Sequence, residues 1–116
     1  MAGRAEGYGR SELMDFAVAH HHEDGVVVVD VKGEIDALTV PQLWEVLEAL
    51  IEGGERNLVI DLSRVAFIDS TGIGVVIRAM NALRDKGGDL VLRGPAPMTY
   101  QVFETVGLTK VLTIER

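Results

Sequence analysis

Apolar positions along this chain follow two rhythms. Val26 to Val31, Leu58 to Leu62 and Leu90-Val91-Leu92 are mostly apolar runs of strand length, and each predicts a β-strand. Between and after them the spacing changes to three and four residues. Val40, Leu43, Val46, Leu47, Leu50 and Ile51 form one stripe, Ile73, Val76, Ile77 and Met80 a second, and Met98, Val102, Phe103 and Val106 a third. Each predicts a helix that buries its stripe. Phe16 to Ala19 predicts a short first strand, turned by His20-His21-His22-Glu23-Asp24-Gly25 into the Val26 run as a hairpin, and Val111 to Ile114 predicts a short last one.

The punctuation agrees. Thr39 and Gln42 have the spacing of a capping box, with Pro41 tolerated in the first helical turn. Gly53-Gly54, Gly87-Gly88 and Gly107 offer stops to the successive helices, and Gly94-Pro95-Ala96-Pro97 suits a turn that opens the third. Strands that alternate with helices after an initial hairpin predict an α/β domain. Its sheet is mixed, of four to five strands, with helices mainly on one face, because they are too few to cover two.

Length, at 116 residues of which 47% are hydrophobic, allows one domain with one core. Residues 1–14 lack either apolar period and read as a flexible N-terminal tail, which leaves the domain at 15–116. Aspartate and glutamate number 18 against 11 lysines and arginines, a net charge of -7 that opposes nucleic acid or an anionic membrane as a partner. The absence of cysteine excludes a disulfide framework, a thiol nucleophile and thiolate-bound zinc. No apolar stretch has the length of a signal or a membrane span, so the sequence predicts a cytoplasmic protein.

Candidate chemistry concentrates at Ile68-Asp69-Ser70-Thr71-Gly72-Ile73-Gly74, where Val65-Ala66-Phe67-Ile68 ends and the second helix begins. Ser70 falls at the predicted helix N-cap, with a hydroxyl reachable from solvent. In parallel α/β units function tends to lie beyond the carboxyl ends of the strands. Two acidic loops fit that description, Gly33-Glu34-Ile35-Asp36 and Asp69-Ser70-Thr71, and they share one surface if their strands are neighbours.

Other chemistries fit poorly. A serine hydrolase would place Ser70 in Gly-x-Ser-x-Gly with a later histidine, but no histidine follows His22. The run His20-His21-His22 points its side chains to different faces, and no second ligand group is evident, so no metal site is expected. The segment around Gly72 and Gly74 lacks the lysine of a P-loop and the third glycine of a dinucleotide fingerprint, which leaves only weak nucleotide binding and no predicted cofactor.

Four segments together carry a family resemblance. Gly33-Glu34-Ile35-Asp36-Ala37-Leu38-Thr39, Leu58-Val59-Ile60-Asp61-Leu62, Phe67 to Val75, and Val102-Phe103-Glu104-Thr105-Val106-Gly107-Leu108 resemble successive signatures of the STAS domain. More narrowly, the chain is similar to bacterial anti-sigma-factor antagonists over roughly residues 15 to 116, and Asp69-Ser70-Thr71-Gly72-Ile73-Gly74 is the specific part. The resemblance implies a phosphorylation switch. In that family the serine directly after the aspartate, here Ser70, is phosphorylated by an anti-sigma factor that is also a serine-protein kinase.

The unphosphorylated antagonist binds that partner and frees a sigma factor; the phosphorylated form lets go until a PP2C-type phosphatase restores it. By the same carry-over, Asp36, Asp69, Ser70, Thr71, Gly72 and Gly74 form the partner-binding surface, and Thr71 is a weaker second acceptor. The resemblance implies a regulator rather than an enzyme, acting as a monomer or weak dimer. Its alternatives within the family are a STAS scaffold or nucleotide-sensing module of a stress-signalling complex, or an appendage of an anion transporter.

Remaining residues draw plainer expectations. Trp44 flanks the first helical stripe and reads as core-edge packing, and Met80 and Met98 read as gap fillers. Glu45, Glu48 and Glu52 form a solvated face, and Arg78 and Arg84 lie at opposite ends of the second helix without an assigned role.

Overall fold

A computed structural model of the chain describes residues 15–116. The tail expected over 1–14 lies outside the described residues. The first two strands, β1 (Ala17–Glu23) and β2 (Val26–Ile35), form an antiparallel hairpin closed by Asp24 and Gly25. Both turn residues have positive φ, 52° and 85°, as a type I′ turn needs. Asp-Gly supplies that geometry at little strain, so the chain reverses only there, and His20, His21 and His22 are strand residues rather than the expected turn.

After β2 come α1 (Val40–Glu52), β3 (Asn57–Ile68), α2 (Ser70–Asp85), β4 (Asp89–Arg93), α3 (Pro97–Thr105), a 3-10 turn (Leu108–Lys110) and β5 (Thr113–Glu115). The sheet has five strands in the order β1-β2-β3-β4-β5, parallel from β2 onward. β2 and β3 run further than their apolar runs predict. Register slips between Asp30 and Lys32 and between Gly33 and Glu34 absorb the polar residues and carry the pairing on to Ile35 opposite Ile68. Gly33 sits at φ 109°, and a Cβ there would lie 3.2 Å from the Phe16 Cα.

Period-two alternation sorts the strands cleanly. Val27, Val29, Val31, Leu58, Ile60, Leu62, Leu90 and Leu92 point into one cluster with Leu43, Leu47 and Ile51 of α1, Val76, Ala79 and Leu83 of α2, and Phe103 of α3. The helices therefore cover one face, as expected. On the other face Val28 and Val59 are also buried, at 1% and 6% exposure. Arg93 on β4 reaches Glu23 on β1 at 3.3 Å, so the pair passes over the two intervening strands and these valines. His21 bonds Asp30 at 2.8 Å beside it, and Arg93 also lies 3.5 Å from Glu115. Among the described residues, side chains and no helix shield this face.

Three helical expectations are corrected. In α2 the buried residues are Gly72, Val75, Val76, Ala79, Met80 and Leu83, while Ile77 is 38% exposed. Small residues complete the core face there and an apolar count passes over them. In α3 only Thr99 and Phe103 are buried; Met98, Val102 and Val106 are exposed, so Met98 fills no gap. The expected Thr39 capping box is also absent: the Thr39 hydroxyl donates to the Glu34 carbonyl at 2.8 Å instead. The last strand starts at Thr113, with Val111 exposed before it. Trp44 packs against the core edge with the Arg78 guanidinium 4.0 Å above its ring, and Arg84 ties Asp89 (2.9 Å) to the Val111 carbonyl (2.7 Å).

Candidate functional site

Ile35 and Ile68 are register partners at the carboxyl ends of parallel strands, so the residues after them leave the sheet side by side. The Asp69 amide donates to the Ile35 carbonyl at 3.1 Å and fixes the two exits together. Beneath them Ile35 and Ile68 close on Gly72: a Cβ there would stand 2.6 Å from Ile35 Cγ2 and 2.6 Å from Ile68 Cγ1. That contact draws the first turn of α2 down onto the ends of the strands. Gly72 thus serves packing, whereas Gly74 is exposed and nothing lies within 4 Å of where its Cβ would be.

Each loop spends one carboxylate oxygen on its own backbone. Asp36 Oδ1 accepts from the amides of Leu38 (3.0 Å) and Thr39 (3.2 Å), while its carbonyl accepts from Thr39 and Val40 and starts α1. Asp69 is the N-cap of α2, with extended backbone at φ -101° and ψ -173°. Its Oδ1 accepts from the amides of Thr71 (2.9 Å) and Gly72 (3.2 Å) and from the Thr71 hydroxyl. The Thr71 hydroxyl above all, with the Gly72 and Thr71 amides adding to it, holds the Asp69 carboxyl below the usual carboxylate range against the opposing effect of burial.

The cap is therefore Asp69, not Ser70 as the sequence predicts. Ser70 is the first helical residue, exposed, and its hydroxyl makes no hydrogen bond to another described residue. Thr71, also exposed, has its hydroxyl engaged by Asp69. The structure thus brings Asp36, Asp69, Ser70, Thr71, Gly72 and Gly74 to one end of the sheet, and among the described residues the Ser70 hydroxyl there is uncommitted. Among the described residues no cluster of three or more His, Asp or Glu is placed to hold a metal ion, and no helix is long and apolar enough to cross a membrane.

Comparison with known proteins assigns the domain to a family. The family model of the STAS domain matches residues 17–116. The chain belongs to the STAS domain family. Among STAS relatives, the anti-sigma-B factor antagonist of Listeria monocytogenes is 40% identical over 85 residues, 73% of this chain and 75% of that protein. An anti-sigma factor antagonist from Mycobacterium paratuberculosis superposes with a TM-score of 0.79 at 31% identity, over 86% of this chain and 85% of the other. The Bacillus cell fate determinant SpoIIAA, solved in its phosphorylated form, gives a TM-score of 0.68 at 26% identity, over 86% of this chain and 92% of the other.

Sequence reasoning overlooked the apolar surface beside this STAS site. Phe67, two residues before Asp69, is 50% exposed, Leu38 is 75% exposed, and Met98 and Val102 of α3 stand open nearby. Phe67 and Met98 line one groove. The available signal was the strand pattern itself: Phe67 directly precedes the inward Ile68, so its side chain belongs to the opposite side of the strand.

Proposed function

We propose that this STAS domain is an anti-sigma-factor antagonist whose association with its partner is switched off by phosphorylation of Ser70. The observation that carries the reading is the Ser70 hydroxyl, exposed and uncommitted among the described residues, at the first position of α2 and beside the Asp36 loop. The relatives named as anti-sigma factor antagonists, and SpoIIAA, which bears that name too and is solved in a phosphorylated form, support it.

The physics of the switch is local. The partner is an anti-sigma factor that doubles as a serine-protein kinase: Ser70 Oγ attacks the γ-phosphorus of ATP, ADP departs, and the hydroxyl proton leaves to the kinase or solvent. The product carries about -1.5 to -2 charges beside Asp69 and Asp36. The helix N-terminus offsets part of the repulsion inside the antagonist, by about 0.3–1 kcal/mol. An interface shaped for a neutral hydroxyl has no such compensation and must desolvate a dianion. A loss of about 3 kcal/mol weakens binding roughly a hundredfold, enough for a switch. A PP2C-type phosphatase reverses it, and the cycle runs in the cytoplasm.

Ser70→Ala is expected to bind the anti-sigma factor with or without ATP, and Ser70→Asp to bind poorly, in titration calorimetry against the purified partner. Equal, parent-like binding by both variants under phosphorylating conditions would reject the assignment.

A further inference from the structure

Next to the switch lies an apolar groove of about 420 Å3, lined by Phe67 and Ile68 of β3 and by Ala96, Pro97, Met98 and Val102 at the start of α3. Met98 is 79% exposed, Phe67 50% and Val102 41%. They are thus large apolar side chains grouped at one edge of a net acidic molecule, and such grouping marks a binding surface more often than scattered exposure does. One wall of the groove is anchored to the core. α3 is pinned from below by Phe103, fully buried, and Thr99, 7% exposed.

Two observations bear on what could sit there. The floor of the groove, Phe67-Ile68, runs straight into Asp69-Ser70, so a protein large enough to cover the serine also covers the groove. Across Ala66 a second cleft of about 260 Å3 begins, lined by Asp15, Glu34 and Asp36. Neither cleft has a lysine or arginine in its lining. The surface therefore presents an apolar slot with an acid rim on one side.

We propose that the anti-sigma factor itself fills this groove, with a segment that seats one or two apolar side chains between Phe67 and Met98 and turns a basic residue toward Glu34 and Asp36. The proposal rests on the antagonist reading above and deepens it. The groove contact does not touch the Ser70 oxygen, so phosphorylation leaves its lining unchanged and breaks the association from the serine side of the same interface. It supplies grip for the kinase to reach its substrate, while the serine supplies the release.

The test uses the full chain and the purified anti-sigma factor of the same organism. Met98→Glu and Val102→Glu change exposed positions, and circular dichroism with a thermal melt verifies that they fold like the parent. Met98→Leu is the conservative control. Calorimetry without ATP is expected to give about tenfold or greater weakening for each glutamate variant and a near-parental affinity for Met98→Leu. Phosphorylation of Ser70, followed with labelled ATP, is expected to show a raised KM with kcat little changed, because the reacting atoms are untouched.

If both glutamate variants bind and are phosphorylated as the parent is, while Ser70→Asp still weakens binding, the groove assignment is wrong and the antagonist reading survives. If the parent itself fails to bind the anti-sigma factor, both fall. Gel filtration decides the remaining occupant: a parent dimer that the glutamate variants convert to monomer makes the groove a self-contact and overturns the proposal.

Discussion

The Asp69 amide hydrogen-bonds the Ile35 carbonyl across the ends of two parallel strands, 3.1 Å apart. Through it the loop that carries Asp36 and the helix that begins at Ser70 become one surface, although the two segments are far apart in the chain. β2 and β3 are neighbours in register up to Ile35 and Ile68, so each chain exit starts from the same level. The serine is thus positioned by backbone pairing, and among the described residues its own side chain has no hydrogen-bond partner.

Capping by Asp69 makes the first prediction. Asp69→Ala removes the acceptor for the Thr71 and Gly72 amides and should lower the thermal midpoint by a few degrees, with the first turn of α2 exchanging its amide hydrogens faster. Asp69→Asn keeps an acceptor and should fall between. Because the folded carboxyl titrates below its unfolded value, its contribution is fully present above about pH 4, the unfolded range, and disappears as pH falls through the folded value. Urea midpoints followed downward from pH 6 should therefore decline more steeply for the parent than for Asp69→Asn.

The two glycines of the switch segment should respond in opposite senses. Gly72→Ala would drive a Cβ to 2.6 Å from the β-branched carbons of Ile35 and Ile68, neither of which can swing away, and should cost about 1–3 kcal/mol of stability in urea titration. Gly74→Ala meets open space inside a helix and should add about 0.5–1 kcal/mol. If the partner covers Gly74, the same variant binds more weakly despite folding more stably. A Gly74→Ala protein that is less stable than the parent would contradict the geometry.

Much of this was legible in the chain before any coordinates. The inward sets of β2, β3 and β4 stand out because Val27, Val29, Leu58, Ile60, Leu90 and Leu92 sit in runs with few polar breaks. What stayed hidden has physical reasons. Asp-Ser-Thr offers three residues of N-cap type in a row, so only the backbone angle at Asp69 decides which one caps. An apolar period at Met98, Val102 and Val106 shows that a helix has an apolar side, and it is silent on whether anything covers that side. Three histidines look like a loop, yet the positive φ that a two-residue hairpin demands is available only at Asp24-Gly25. Of the site, the residues were readable and their division of labour was not: Gly72 packs, Asp69 caps, Thr71 holds Asp69, and Ser70 is spare.

His21 gives the shielded sheet face a pH dependence. Glu23 and Asp30 hydrogen-bond its ring, the Glu23 contact most strongly, and raise its pKa above the ordinary value of 6.5. A group whose pKa is raised on folding stabilises fully below the unfolded value and loses that contribution as pH rises through the folded one. The parent should therefore melt at a slightly higher temperature at pH 6 than at pH 8, and His21→Gln should flatten that difference. An unchanged slope in the variant would show that the histidine carries no net linkage.

The strongest check on a switch that acts through surface charge is that the fold ignores it. Ser70 is the first residue of α2, where a negative charge meets the positive end of the helix dipole and gains about 0.3–1 kcal/mol. Asp69, directly before it, repels the same charge, so the two effects largely cancel. Ser70→Asp is accordingly expected to unfold in urea within about 1 kcal/mol of the parent, at either low or moderate salt. The same preparation should lose most of its affinity for the anti-sigma factor. Were Ser70→Asp to melt many degrees lower, its failure to bind would reflect a damaged domain, and electrostatic exclusion at the interface would have to be abandoned as the mechanism. Phosphorylated parent, prepared with the kinase and compared in the same denaturation series, extends the measurement to the dianion itself, where the larger charge should still leave the unfolding midpoint close to that of the free hydroxyl form.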